Sequence, residues 1–228
     1  MIGIAIGLGV ALGWLLGRVI EWQLRGLRPA PSPTGAAAAW LPLLGVLRRR
    51  DWLLLAVELV TLGVTVLLWR SYGFSVRFWA LLLVALVLID TGAIDWQVKL
   101  IDTLVLLVAT LGALLAAPLL SGAWLNSLLG ALVAGALFVF FFMIAKLLYP
   151  QQAAPFGLGD VYLGIFIGAV VGLVHLGAAL LYGMLLAGLA SLALIVVLGY
   201  RRARHVPIAY GAFLCLGTLL YLVLWPLS

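Results

Sequence analysis

The chain has 228 residues, of which 67% are hydrophobic and only 9% are charged, and its formal net charge is +6. Soluble domains carry about 25% charged residues, so this composition excludes an ordinary soluble domain. Lys and Arg in a membrane protein mark the cytoplasmic side and the anionic lipid surface, so the positive charge does not indicate nucleic-acid binding.

In chain order, the apolar runs predict eight membrane-spanning helices, each judged against the length of about 20 residues that crosses a bilayer. The predicted spans are 2–20, 53–69, 78–94, 101–118, 126–147, 160–174, 176–199 and 208–227. The run from Met1 lacks the basic segment and cleavage site of a signal peptide, so it is expected to be the first span. The sixth and seventh spans are separated by a predicted turn near His175.

These spans predict an all-α, polytopic integral membrane helical bundle that forms one domain over 1–228. The first span, 1–20, is followed by a loop over 21–52 and a seven-span region over 53–228. The odd-numbered loops hold most of the basic residues, namely Arg25, Arg28, Arg48, Arg49, Arg50, Lys99, Lys146, Arg201, Arg202 and Arg204. Basic loops stay in the cytoplasm, so both termini are expected on the non-cytoplasmic side of a cell (inner or plasma) membrane, with lipids as partners.

Metal and nucleophile chemistry has little support in the sequence. Cys215 is the only cysteine, so it can form neither an internal disulfide nor a Cys-x-x-Cys zinc pair, and a buried, inert thiol is expected. His175 is predicted at an outer turn and His205 in a basic loop, without a carboxylate cluster beside them. No metal site is therefore predicted, and no serine lies in a Gly-x-Ser-x-Gly elbow.

Acidic side chains are the informative polar residues of this chain. Glu58 and Asp90 fall inside apolar runs, whereas Asp95, Asp102 and Asp160 are predicted at the cytoplasmic ends of the third, fourth and sixth spans. A charge within a span costs several kcal/mol, so such carboxylates are candidates for function.

Asp160 follows Gly157 and Gly159 in "APFGLGDVYLGIFIGAVVGL" and opens an apolar run. Taken alone, this position is equally typical of a helix cap. The loop charges, however, predict Asp95 at the same membrane face. Two carboxylates at the edge of a low-dielectric region can share a proton, as in the aspartic proteases, where one activates water and the other polarises the scissile carbonyl. The alternative is two unrelated caps or loop charges.

Four segments of the chain add to this pattern. "IDWQVKLID" contains Asp95, and "FGLGDVYLGIFIGAVVG" contains Asp160 within a Gly-x-Gly-Asp motif. "DWLLLAVELVTLGVTVLLW" contains Glu58 in a Val-Glu-Leu span, and "VPIAYGAFLCLG" opens the last span. In their order along the chain, the four segments resemble the type IV prepilin leader peptidases and the archaeal preflagellin peptidases, which are GxGD-type membrane aspartic peptidases.

The resemblance implies a membrane-embedded aspartic endopeptidase that cleaves the basic leader from type IV prepilin-like precursors (pilins, pseudopilins or flagellin-like proteins) at the cytoplasmic membrane boundary. It implies Asp95 and Asp160 as the catalytic residues. The supporting motif residues are Gly157, Gly159, Lys99 and Asp102. Asp90, a turn and a half before Asp95, is the rival for the first catalytic position.

The chain departs from the family pattern at several positions. The first motif lacks its proline, and Asp102 arrives one residue early. Tyr162 stands where a lysine is common, and Ala212 replaces a second proline. The departures leave every carboxylate of the pattern in place.

The largest departure lies in the first loop. Bacterial members often carry two Cys-x-x-Cys pairs there, associated with a zinc site, and they also N-methylate the cleaved pilin. This loop has no cysteine, so neither zinc nor S-adenosylmethionine is expected as a cofactor, and the resemblance supports the peptidase activity alone. Glu58 is either a remnant of the methylation role or a buried acid paired with an arginine.

Three alternatives stay open at this point. Presenilin and signal-peptide-peptidase relatives also carry Gly-x-Gly-Asp, but they pair it with a Tyr-Asp and a Pro-Ala-Leu, whereas Asp90 follows Ile89 and no Pro-Ala-Leu occurs. A non-catalytic homologue could act as a scaffold in a pilus or secretion assembly, with Asp160 as a cap and Asp95 as a loop charge. A small transporter would find support only in Glu58 and Asp90.

Overall fold

The computed structural model describes residues 1–25, 52–148, 157–199 and 208–225. All regular elements in these ranges are α-helices, and they are α1 Ile2–Leu24, α2 Trp52–Tyr72, α3 Val76–Val98, α4 Thr103–Leu115, α5 Ala117–Leu120, α6 Trp124–Leu148, α7 Leu158–Leu198 and α8 Tyr210–Leu224. Five of them, α1, α2, α3, α6 and α7, are long and apolar enough to cross a membrane, and α4 and α8 are shorter apolar helices. An all-helical membrane bundle is thereby confirmed for this part of the chain. The predictions for the loop after 25 and for His205 lie outside the described residues.

The 41-residue helix α7 contains the boundary between the predicted sixth and seventh spans. Its helical geometry breaks at Gly172, where φ is 73° and ψ is 171°. This backbone conformation favours glycine, because a Cβ atom would be strained there. Just beyond the break, the Val174 N–H donates to Asn126 Oδ1 of α6 at 3.3 Å, which satisfies one of the free N–H groups that open a helix.

The two halves of α7 run in opposite directions. Three contacts with α8 mark its course: Asp160 interacts electrostatically with Tyr210, His175 bonds to Tyr221, and Gly183 packs against Leu214. The chain therefore passes from the start of α8 to its end and then back towards its start. The reversal lies at Gly172, three residues before the position expected from the sequence.

The predicted fourth span is divided in the structure. Asp102 begins α4 as its N-cap, and its side chain accepts hydrogen bonds from the N–H groups of Leu104 at 2.9 Å and Val105 at 3.3 Å. The helix ends at Leu115, and the short helix α5 follows with Pro118 in its first turn. Proline has no N–H to donate to the carbonyl four residues earlier, and its ring clashes with that carbonyl, which accounts for the interruption.

Small residues allow the closest helix contacts in the bundle. A Cβ atom on Gly13 of α1 would lie 3.0 Å from the Cα of Glu58 on α2, and one on Gly168 of α7 would collide with the backbone of Gly130 on α6. Such close approach is typical of helix association in membranes, where apolar burial alone does not drive packing. Gly159 and Gly211 make further close contacts with Ile101, and there the end of α3 and the starts of α4, α7 and α8 meet at one end of the bundle.

Candidate active site

Asp95 lies in the last turn of α3, and its position is fixed by the way this helix ends. Lys99 adopts a left-handed conformation with φ 56° and ψ 32°, and its N–H donates to the Asp95 carbonyl at 3.0 Å. The Asp95 side chain is only 6% exposed and points into the bundle. The scaffold alternative expects a loop charge at this position. The structure instead shows a buried carboxylate on a helix.

The carboxylate of Asp95 caps another helix. Its Oδ2 atom accepts a hydrogen bond from the N–H of Ala212 at 2.8 Å. Ala212 is in the first turn of α8, whose N-cap residue Ala209 makes no side-chain cap bond. First-turn N–H groups have no partner within their own helix, and a helix N-terminus favours negative charge, so Asp95 supplies both the acceptor and the charge.

Asp160 occupies the first turn of α7, three residues after the N-cap Gly157. Its N–H donates to the Gly157 carbonyl at 3.1 Å, and its carboxylate lies beside Gly157, since a Cβ atom added there would be 3.2 Å from Oδ2. Negative charge in the first turn of a helix is favourable. Asp160 therefore stabilises the start of α7, but from the third helical position and not as the N-cap residue that the sequence predicted.

The two carboxylates belong to one site. Asp95 is one of the charges that act on Asp160, and Tyr210 at the start of α8 also interacts with Asp160. The buried thiol of Cys215, one turn further along α8, is within electrostatic range of Asp95, Asp160 and Asp90. Each of the two predicted catalytic carboxylates thus sits at the N-terminus of a helix, and the two helix ends converge.

Ile101 packs between the helices that carry this site. A Cβ atom on Gly159 would lie 2.7 Å from the Ile101 Cβ, and one on Gly211 would lie 2.9 Å from the Ile101 Cδ1. The loop between α3 and α4 therefore holds the starts of α7 and α8 together. The absence of a side chain at Gly159 and Gly211 is what permits this packing.

Comparisons with protein-family models, curated proteins and solved structures gave no match. The similarity to the prepilin and preflagellin peptidases therefore rests on the four sequence segments. The chemistry of the site rests on the positions of its carboxylates.

Asp90, the rival for the first catalytic position, is buried on α3 with a different set of neighbours. The Gln23 Nε2 atom of α1 donates to its Oδ2 at 3.5 Å, a weak bond. Its Oδ1 has no hydrogen-bond partner among the described residues. The charge of Asp102 acts on Asp90, but the helix N-terminus that holds Asp95 does not donate to it.

The remaining predicted residues take supporting positions. Lys99 terminates α3, its ammonium group donates to the Trp96 carbonyl at 3.1 Å, and its charge acts on Asp95. Asp102 is exposed and caps α4.

Glu58 is 3% exposed on α2, where its backbone lies against Gly13 of α1. The structure thus brings Asp95 and Asp160 together and places Glu58 at a separate helix contact. Within the described ranges, no group of three His, Cys, Asp or Glu side chains could hold a metal ion.

Sequence reasoning missed the contribution of the start of α8. The donor to Asp95 is the backbone N–H of Ala212, and a backbone group cannot be recognised from the type of its residue. Gly211 lies beside the Asp95 carboxylate, since an added Cβ atom would be 3.1 Å from Oδ2. The "AYG" sequence in the last resembling segment was the available signal, because a glycine at a helix start permits close approach of another side chain.

We expect Gly211→Ala to impair the site while the bundle stays folded. The new methyl group would push against the flexible end of Ile101 and against the Asp95 carboxylate, which would then lose its bond to α8. Loss of a hydrogen bond to a charged group corresponds to a fall in rate of about tenfold to a hundredfold. The matched control is Gly63→Ala on α2, where a Cβ atom meets nothing within 4 Å. Equal rates of precursor cleavage in both variants would contradict the role assigned to Gly211.

Proposed function

We propose that the protein is a membrane-embedded aspartic endopeptidase that removes the basic leader from type IV prepilin-like precursors. The observation that carries this proposal is the pairing of Asp95 with Asp160 at the converging starts of α7 and α8. The Asp95 carboxylate is held by the N–H of Ala212, and the Asp160 carboxylate lies against Gly157 in the first turn of α7, so each is oriented before any substrate arrives. A fixed orientation of the reacting groups is a large part of the rate enhancement of enzymes.

The pair can carry out peptide hydrolysis with one shared proton. The ionised carboxylate removes a proton from water, and the resulting hydroxide attacks the scissile carbonyl carbon. The protonated carboxyl group donates to the carbonyl oxygen as it becomes negative. The tetrahedral intermediate then collapses when a proton reaches the leaving nitrogen, which releases the leader and the new N-terminus of the precursor.

The negative charge of the aspartate pair matches the positive N-terminal ends of the two helices beside it. Helix N-termini favour nearby negative charge, so the starts of α7 and α8 support the one negative charge that such a pair carries. Two ionised carboxylates that interact in a poorly solvated site would repel each other, which favours the state with a single proton. In the scaffold alternative the two carboxylates need not converge, whereas here the helix starts beside them pack on the same residue, Ile101, and this shared packing supports the peptidase.

The sidedness predicted from loop charges completes the proposal. We propose eight spans, both termini outside the cytoplasm, and the site at the cytoplasmic face of the cell membrane. The leader of the substrate would be cytoplasmic and the helix that follows it would lie in the bilayer, so the scissile bond would fall at the level of the site. The proposed reaction uses the two aspartates and water, and it requires neither zinc nor S-adenosylmethionine.

Mass spectrometry of a pilin-like precursor coexpressed with this protein tests the function directly. We expect a product that begins immediately after the basic leader, with an unmodified N-terminal amine. A product of the same length with an added methyl group would show that N-methylation is retained. An intact precursor, with the protein present in the membrane fraction, would refute the proposed peptidase activity.

A further inference from the structure

An apolar groove lies beside the candidate active site. It has a volume of about 170 Å³ and is lined by residues of α2, α3 and α8. Ala56 is exposed on its α2 wall, and Trp96 and Leu216, which are 54% and 38% exposed, line it from α3 and α8. The groove is therefore a feature of the outer surface of the helices, and not a closed internal void.

One end of the groove adjoins the carboxylate pair. Ala212, whose N–H holds Asp95, lines the groove, and so does Trp96, the residue after Asp95. From Ala212 the groove follows α8 to Leu219, a distance of about 10 Å at the helical rise of 1.5 Å per residue. A segment lying in it would run along the helices and would end at the site.

We propose that this groove binds the first two turns of the apolar helix that follows the scissile bond in the substrate. The inference rests on the proposed peptidase function and specifies how the substrate is held. All the lining side chains are apolar or weakly polar, so the groove suits the apolar helix and not the basic leader. Ala212 lines the groove and also donates its N–H to Asp95. A substrate helix in the groove would therefore have the scissile bond, which precedes it, next to Asp95.

The lining also favours a helix over a lipid chain. Four small residues, Ala56, Gly92, Ala93 and Ala212, contribute to the groove from all three helices. Small residues allow two helix backbones to approach closely, and they are enriched where helices associate in membranes. Leu53 and Leu216 are larger side chains among these small ones. The groove surface therefore has ridges and depressions that would fix a bound helix in one register.

Filling the groove from two different helices tests the inference. Leu216→Trp and Ala56→Trp add bulk on α8 and α2, and both sites have room to accept it because both residues are partly exposed. Leu220→Trp is the matched control, since Leu220 is 37% exposed on the same helix as Leu216 and does not line the groove. Initial rates are measured with one purified pilin-like precursor in lipid nanodiscs at subsaturating concentration.

We expect Leu216→Trp and Ala56→Trp each to lower kcat/KM about tenfold or more, because overfilling an apolar site weakens binding by that order. The wild-type protein and Leu220→Trp should cleave at equal rates. If all four proteins cleave equally, the groove does not bind the substrate, although the peptidase function stands. If the wild-type protein fails to cleave, the peptidase function falls, and the groove inference falls with it.

A crosslinking measurement separates loss of binding from loss of folding. A benzophenone amino acid, whose bulk is comparable to that of tryptophan, replaces Trp96 of the groove in one protein and Leu220 in another, each combined with Asp160→Asn so that the precursor stays uncut. The position-96 probe should form adducts with the precursor within its apolar helix, and the position-220 probe should not. Adducts of the position-96 probe with lipid alone, or with a second copy of the protein, would overturn the inference.

Discussion

Asparagine in place of Asp95 or Asp160 is expected to abolish cleavage of a coexpressed pilin-like precursor. Asparagine can still accept the hydrogen bond that Asp95 receives from Ala212, and it matches aspartate in size at both positions, so the starts of α7 and α8 remain in place. It cannot take a proton from water or return one, however. Loss of general acid–base catalysis lowers rates by about 10²- to 10⁴-fold, which leaves no visible product in a cellular assay.

The matched control is Asp102→Asn. Asp102 caps α4 on the exposed side of the same loop, and asparagine is an equally good N-cap residue, so this variant should cleave like the wild-type protein. Asp90→Asn tests the rival assignment, because Asp90 is buried on the same helix as Asp95. Full activity in Asp95→Asn or Asp160→Asn would refute the pair. Loss of activity in Asp90→Asn but not in Asp95→Asn would move the first catalytic role to Asp90.

The positions of the helices were predictable because the hydrophobicity and length of a run of residues largely determine whether it forms a membrane-spanning helix. Each predicted span corresponds to a helix or to one half of α7 in the described ranges, except the fourth, which the structure divides between α4 and α5. The turn was predicted near His175 because this residue and the glycines around it are the only break in the apolar run. The structure places it three residues earlier, at Gly172, since a reversal needs a residue that tolerates positive φ, and Asn126 of another helix completes it.

The candidate site was predictable in part. Asp95 and Asp160 could be assigned to one face of the membrane, because loop charges report sidedness. Their approach could not be derived this way, since it depends on Ile101 packing between two glycines and on the backbone N–H of Ala212. The sequence also predicts a double role for Asp160, as a helix cap and as a catalytic group. The structure places its carboxylate beside Gly157 at the start of α7, a position that is compatible with both roles.

Gly168→Ala is expected to destabilise the bundle more than any other glycine-to-alanine change discussed above. The added Cβ atom would collide with the backbone of Gly130, and backbone atoms cannot rotate away as a side chain can. Helices α6 and α7 would have to separate, and overpacking of this kind costs about 3 kcal/mol. For a protein of this size, such a loss lowers Tm by about 10 °C.

Cys215 provides the measurement. It is the only cysteine in the chain and is 1% exposed, so a thiol-reactive fluorophore reports its exposure as the protein unfolds with temperature. The matched controls are Gly177→Ala and Gly188→Ala, which lie on the second half of α7 and whose added Cβ atoms meet nothing within 4 Å. These two should retain or slightly raise Tm, because alanine is the better helix former. A Gly168→Ala protein as stable as these controls would show that the close contact between α6 and α7 does not hold the start of α7, and with it Asp160, in place.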